Sequence, residues 1–249
     1  MMKVGILGAG HIGKTLVREL SRTGYDVKVA NSRGPETIAP SVLAFGGRAV
    51  TLEQAVEDVD VLILSIPLNR LPEIAAKLAA LPKDVVVIDT SNYYPMRDTE
   101  IADIEAGEAE SVWVSRQLGR PVAKAWNAIG SDSFARLGKP AGHPDRIAIP
   151  VAADNGRDRL VAMALVGDTG FDAVDAGPLS ESWRQQPGSP VYCTDLTAIE
   201  IPDALAAAER SRLPKRRDLS VAAVQERLGD TKSNPDAGFL VRLNRALFL

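Results

Sequence analysis

The chain has 249 residues, a hydrophobic fraction of 45% and a formal net charge of −3, with a pI near 5.5. That length suits one large globular domain, or a nucleotide domain with a small partner, and can bury a sizeable core without metal or disulfide help. The acidic balance argues against a nucleic-acid partner, the single Cys193 excludes an intrachain disulfide, and no apolar run reaches membrane-spanning length. The two histidines, His11 and His143, are too few and too unpatterned for a metal site. The first strand starts at residue 3, which leaves no room for a signal peptide, so a cytoplasmic protein is expected.

Val4, Ile6 and Leu7 read as a short apolar strand that stops at Gly8-Ala9-Gly10-His11-Ile12-Gly13. Ile12, Leu16, Val17 and Leu20 then recur at helical spacing, and Gly24 marks the helix exit. A G-x-G-x-x-G alone is weak evidence of anything but a turn. Directly after a strand and at the mouth of a helix, it is the arrangement that binds a dinucleotide. Gly8 allows the tight turn, Gly10 lets a pyrophosphate approach the backbone, and Gly13 lets the helix pack on the strand. The helix start then offers unpaired N–H groups and a partial positive charge.

Tyr25 to Ala30 is a second strand, ending at Asn31-Ser32-Arg33. An NAD site usually places Asp or Glu here to accept the ribose 2′-OH, and this chain has neither. An Arg beside a hydroxyl instead suits a 2′-phosphate. One charge-assisted bond contributes roughly 1.5–3 kcal/mol, so Arg33 alone would favour NADP over NAD by roughly ten- to a hundredfold. Ser32 adds to this; Asn31 reads either as a further contact or as a turn residue.

Pro35 is placed to start a helix running to Ala44, with Phe45-Gly46-Gly47 ending it. Its N-terminus would aim a second dipole at the same phosphate. Arg48 to Val50 is a third strand, and Thr51 caps a helix holding Glu53 to Glu57. Val59 to Ser65 is apolar nearly throughout, as a central parallel strand requires. It delivers Ser65-Ile66-Pro67-Leu68 to the edge where open α/β sheets bind ligands. Pro67 is either a stiff wall for a nicotinamide ring or a plain strand terminator.

Leu71 to Leu81 reads as helix and Val85 to Ile88 as the fifth strand, delivering a polar loop from Asp89 to Pro95. Thr90, Ser91 and Asn92 are its candidates for contact with cofactor or substrate. Residues 97–110 read as surface loop and helix, and Val112 to Leu118 as helix. Pro121 to Trp126 is a sixth strand that places Asn127 and Ile129 near the reactive end of the cofactor. Asn127 either orients a substrate carbonyl or ring nitrogen, or caps a turn. Leu137 to Arg146 is expected to loop over the cleft, carrying His143 as surface decoration.

Arg146 to Ala152, Arg157 to Val166 and Phe171 to Val174 form a further strand, helix and strand, so the sheet should exceed six strands. Val191-Tyr192-Cys193 reads as a partly buried strand, Trp183 to Gly188 as a loop and Ala204 to Arg212 as a helix. The basic run from Arg210 to Arg217 reads as a solvated face. Phe239-Leu240-Val241 and Ala246 to Leu249 are too apolar for a free tail and should pack on the body or on a second subunit. The expected fold is a Rossmann-type doubly wound α/β architecture with a mostly parallel sheet. Residues 1–145 would bind NADP, and a smaller α/β extension, 146–249, would complete the sheet, the substrate cleft and possible contacts of a homodimer.

The glycine turn, Asn31-Ser32-Arg33-Gly34-Pro35, Lys124-Ala125-Trp126-Asn127 and Asp175-Ala176-Gly177-Pro178-Leu179 together resemble the NADP oxidoreductases that depend on the deazaflavin coenzyme F420. The resemblance spans roughly residues 2–180 and implies hydride transfer between NADPH and a stacked deazaflavin. It also implies that Ala9 to Ile12, Ser32 and Arg33 contact NADP, that Ser65 to Leu68 run along the nicotinamide, and that Asn127 and Ile129 lie near the acceptor. Stacked-ring transfer mainly needs proximity and orientation, and the chain shows no histidine–carboxylate pair at the expected edge. No catalytic side chain and no metal are therefore expected. Two rivals stay open: an NADPH-dependent reductase of a small carbonyl, imine or quinone, for which Lys124 is the nearest proton donor, and a non-catalytic NADP sensor.

Overall fold

The computed structural model describes residues 1–229 and 233–249. Its frame is one eight-stranded sheet. β1 (Lys3–Leu7), β2 (Asp26–Ala30), β3 (Arg48–Ala49), β4 (Val61–Leu64), β5 (Val86–Asp89) and β6 (Ala123–Lys124) are parallel in the order β3-β2-β1-β4-β5-β6. This is the doubly wound dinucleotide-binding order, with its switch point between β1 and β4. β7 (Ala148–Ala153) joins β6 antiparallel, and β8 (Asp172–Asp175) runs parallel to β7. The sheet thus exceeds six strands as expected, but its last two run the other way.

Strand alternation sends successive side chains to opposite faces. Val61 and Ile63 join Val4, Ile6, Val29 and Ile88 in one core, while Leu62 and Leu64 join Leu7, Ala30 and Val87 in the other. The first core is covered by α1 (His11–Arg22), whose Leu16, Val17 and Leu20 are fully buried. Each such side chain contributes about 1.5–3 kcal/mol. The second is covered by α2 (Leu52–Val56), α3 (Leu71–Leu78) and, after the short α4 (Pro95–Asp98) and α5 (Ala102–Glu105), by α6 (Glu110–Leu118). Thr51 caps α2 in a reciprocal box with Gln54.

The helix expected from Pro35 to Ala44 does not form. Two 3-10 turns, Pro35–Thr37 and Pro40–Val42, stand in its place. Pro40 has no N–H and keeps Ala39 extended at ψ 137°, so one continuous helix is blocked and no long helix aims at the 2′-phosphate position. The sixth strand is also shorter than expected. It pairs over two residues because Trp126 adopts φ 57° and turns the chain out of the sheet.

After β6 come α7 (Ser131–Arg136), and then α8 (Gly156–Asp168) between β7 and β8. The 137–146 loop does not cover the cleft. Gly138, Lys139 and Pro140 line a separate hollow with Arg18 and Arg22 at the far end of α1, and His143 is exposed. The extension begins as the α/β unit β7-α8-β8 and is helical past β8. A 3-10 stretch (Leu179–Gln185) replaces much of the expected 183–188 loop. Tyr192 and Cys193 lie in a turn, not a strand, with Cys193 at φ 52°. The helix expected from Ala204 to Arg212 is instead α9 (Ile201–Ala206), a 3-10 turn and α10 (Leu213–Leu228), because Pro202 and Pro214 each open a new helix. α11 (Ala237–Phe248) packs on α10 and α7, which accounts for the apolar C-terminus within the chain. Among the described residues no helix is long and apolar enough to cross a membrane.

Candidate functional site

Register fixes where the site falls. One row of paired residues crosses the sheet from Ala30 through Leu7, Leu64 and Asp89 to Lys124. The residues that follow each, Asn31, Gly8, Ser65, Thr90 and Ala125, therefore emerge at one edge. A cleft of 450 Å³ opens there.

At its near end lies the glycine turn. Gly8 has φ 111°, and a Cβ there would sit 2.1 Å from the Ser65 carbonyl oxygen. A Cβ on Gly13 would sit 1.9 Å from the Gly8 carbonyl oxygen, so both positions need glycine for packing. Gly10 differs: nothing lies within 4 Å of where its Cβ would be, and it faces the cleft. α1 begins there with no side-chain cap and no acidic residue in its first turn. The first N–H groups of a helix lack partners within it, so this end attracts an anion. Burial, helped by Lys14, holds the His11 pKa below its usual value and keeps the imidazole neutral at pH 7.

Asn31 folds back on its own loop, its Oδ1 accepting from Arg33 N at 3.0 Å and its Nδ2 donating to Thr37 Oγ1 at 2.8 Å. It therefore acts as a turn former. Ser32 and Arg33 are exposed at the end of β2, and the Arg33 guanidinium has no partner among the described residues. The open cradle at Gly10, the uncapped helix start and this free guanidinium fit a dinucleotide carrying a 2′-phosphate.

The structure brings Gly10, His11, Ile12, Ser65, Ile66, Pro67, Asn92, Asn127 and Ile129 together around the cleft. Gly8, Ala9 and Gly13 lie behind them in the turn. Leu68 turns away, 1% exposed in the core beneath α3. Asn127 is buried and its amide is committed to the scaffold. Nδ2 donates to Asn92 Oδ1 at 3.1 Å and to the Gln185 carbonyl at 2.7 Å, while Oδ1 accepts from Gln185 Nε2 at 2.8 Å. Both of its donors are spent, so it ties the 185 segment to the cleft floor rather than offering an N–H to a substrate.

Lys124 points to the opposite face and is fully buried. Its Nζ donates to Ser91 O at 3.1 Å, Ser111 Oγ at 2.9 Å and Glu110 Oε2 at 3.3 Å, with Asp89 Oδ2 at 3.9 Å. Burial raises the Glu110 pKa and the Lys124 ammonium partly offsets it. The cluster sits under the 90–94 loop and outside the cleft, so Lys124 is no proton donor there. Among the described residues no group of three His, Cys, Asp or Glu is placed to hold a metal ion.

Sequence reasoning missed the far wall. Ser220, Val221, Val224 and Gln225 of α10, with Leu240 and Asn244 of α11, close the cleft, and Ser220 Oγ donates to Asn244 Oδ1. Their i, i+4 spacing was visible, but nothing in it said which body the stripe would face. Tyr94, Arg97 and Tyr192 were missed too. Tyr94 Oη and Tyr192 Oη lie 2.6 Å apart, Asn92 Nδ2 reaches Tyr192 Oη at 3.3 Å, and the Arg97 guanidinium stacks 5.3 Å from the Tyr94 ring centroid. Burial raises both phenol pKa values, so both stay protonated. It does the same to the Cys193 thiol, which is no nucleophile at neutral pH.

The family described as NADP oxidoreductase, coenzyme F420-dependent, matches residues 3–93. YjhV of Escherichia coli (strain K12) is 42% identical over 101 residues, 39% of this chain and 70% of YjhV. Among solved structures, a hypothetical protein, SMa0349 from Sinorhizobium meliloti, is 26% identical with TM-score 0.69, covering 79% of this chain and 96% of that one. A structure from Arthrobacter sp. FB24, proposed to be an F420-dependent NADP-reductase, has TM-score 0.59 and 17% identity, covering 73% and 87%, and shows a shared fold.

Proposed function

This chain belongs to the family of coenzyme F420-dependent NADP oxidoreductases, and on that basis we propose that it passes a hydride between NADP(H) and a deazaflavin or flavin-type acceptor. Bound NADPH supplies the hydride from its nicotinamide ring. In this reading residues 1–145 hold the nucleotide, and 146–249 complete the sheet and close the acceptor's side of the cleft. Gly10 and the N–H groups of α1 take the pyrophosphate, Ser32 and Arg33 the 2′-phosphate, and Ser65 to Pro67 flank the nicotinamide.

The observation that carries the reading is the cleft's composition. Among its described lining residues there is no carboxylate and no lysine, and its apolar walls include Ile12, Ile66, Pro67, Trp126 and Ile129. Such a site orders two flat rings and excludes water, which is most of what ring-to-ring hydride transfer asks of a protein. Reduction of a small carbonyl, imine or quinone is the second reading, favoured by the two phenols in the cleft. Anaerobic stopped-flow mixing of enzyme and NADPH with oxidised deazaflavin, and in parallel with FMN, tests both. Rapid bleaching of the deazaflavin band is the expected result. Saturable NADPH binding without turnover of either ring overturns the acceptor assignment and moves the reading to a small substrate or to a sensor.

A further inference from the structure

The Tyr94–Tyr192 pair can be counted proton by proton. Tyr192 Oη already accepts from Asn92 Nδ2, and the two phenol oxygens share one hydrogen bond between them. Two hydroxyl protons are present and only one is used in that bond. Among the described residues the one further partner of either oxygen is the Cys193 thiol, a weak acceptor beside Tyr192. Whichever way the pair is oriented, one O–H has no oxygen or nitrogen acceptor, and both rings line the cleft. The pair is also held from both ends of the chain. Tyr94 stands just before α4 with Arg97 on its ring, and the Tyr192 backbone carbonyl accepts from Asn244 Nδ2 at 3.2 Å.

We propose that this spare hydroxyl is the donor that seizes the electron acceptor, by hydrogen-bonding the carbonyl oxygen or ring nitrogen that gains negative charge as the hydride arrives. The proposal rests on the functional reading above and adds to it which atoms of the acceptor are recognised. A ligand edge that carries only N–H or O–H donors gains nothing there, whereas an edge with a free lone pair satisfies the buried proton. As the nicotinamide C–H bond breaks with its electron pair, a C–H bond forms at the acceptor carbon. The acceptor's π pair moves through the conjugated system to the lone-pair atom. The phenols stay protonated because burial keeps both pKa values high. They therefore stabilise that charge without surrendering a proton, and solvent protonates the reduced acceptor as it leaves the cleft, which completes the two-electron reduction.

The accounting makes a specific demand on mutants. In Tyr94→Phe the Tyr192 hydroxyl keeps its bond from Asn92 and has no acceptor for its proton but the weak Cys193 thiol; in Tyr192→Phe the Tyr94 proton is free. Each single variant retains one donor, slightly displaced, and only the double variant has none. A bond to a charged group is worth about tenfold to a hundredfold, so the double variant should lose about that factor in kcat/KM for the acceptor, and each single variant less. The binding readout is fluorescence titration of 5-deazariboflavin into the NADP⁺-saturated protein. Weaker binding to the double variant than to either single variant, with unchanged NADP⁺ affinity and melting temperature, is the expected result. Equal binding to wild type and a folded double variant overturns the role of the pair alone. No binding of 5-deazariboflavin to the wild type overturns the acceptor assignment, and this inference with it.

Discussion

Gln185 and Asn127 exchange hydrogen bonds in both directions: Gln185 Nε2 donates to Asn127 Oδ1 at 2.8 Å, and Asn127 Nδ2 donates to the Gln185 carbonyl at 2.7 Å. This exchange joins the turn after β6 to a segment 58 residues later, at the floor of the cleft. Asn127→Ala strands the Gln185 carbonyl and Asn92 Oδ1 without their donor. It should cost about 1–3 kcal/mol of stability in urea unfolding while leaving NADPH affinity intact.

The two tight glycines and the open one should separate folding from binding. Gly13→Ala places a methyl against the Gly8 carbonyl and should destabilise by about 1–3 kcal/mol. Gly10→Ala meets no protein atom, so its melting temperature should hold. Its NADPH dissociation constant should rise about tenfold or more as a pyrophosphate contact is lost.

Arg33→Glu tests coenzyme choice. Removing an unpaired cation and placing a carboxylate beside the 2′-phosphate should weaken NADPH by at least about tenfold and leave NADH affinity unchanged or improved. Titration of both nucleotides decides it. Retained NADPH preference would remove the role assigned to the loop.

Lys124→Met leaves the buried Glu110 and Asp89 without their cation and should cost about 3–5 kcal/mol. The single-turnover rate of the surviving folded enzyme should not change, because Lys124 does not reach the cleft. A large fall in that rate would restore it as a proton donor.

Asp195 supplies a pH dependence with a definite sign. Its carboxyl accepts from Ser133 Oγ at 2.7 Å, and burial raises its pKa above the ordinary aspartate value. A raised folded pKa means that the folded state holds its proton more tightly. The resulting stability is full below the unfolded pKa and is lost as pH rises through the folded value. Asp195→Asn keeps an acceptor for Ser133 without the buried charge. Its melting temperature should match wild type in acid and exceed it at neutral pH.

The strand, glycine turn, helix and exposed loop at the start of the chain were legible because they are local: Gly8 and Arg33 lie within 26 residues of one another. The unbroken apolar run Val61-Leu62-Ile63-Leu64 likewise marked a strand buried on both faces. What could not be read were the contacts set by distant segments. Asn127 looked free because its partner Gln185 lies far along the chain, and Tyr192 read as a strand because its phenol partner sits 98 residues earlier. The misplaced helices share a simpler cause: Pro40, Pro202 and Pro214 outweighed the apolar spacing around them.

The reversal of direction at β7 has a consequence for how the molecule tolerates change. Ala153 pairs with Ala123 at the start of β6, so β7 and β8 end at the edge opposite the cleft. The turn holding Gly177 is therefore remote from the ligand, and the chain must climb back over Leu179–Gln185 to reach it. Turns at that distal rim can lengthen or change their surface without touching the cleft, whose far wall is built by α10 and α11.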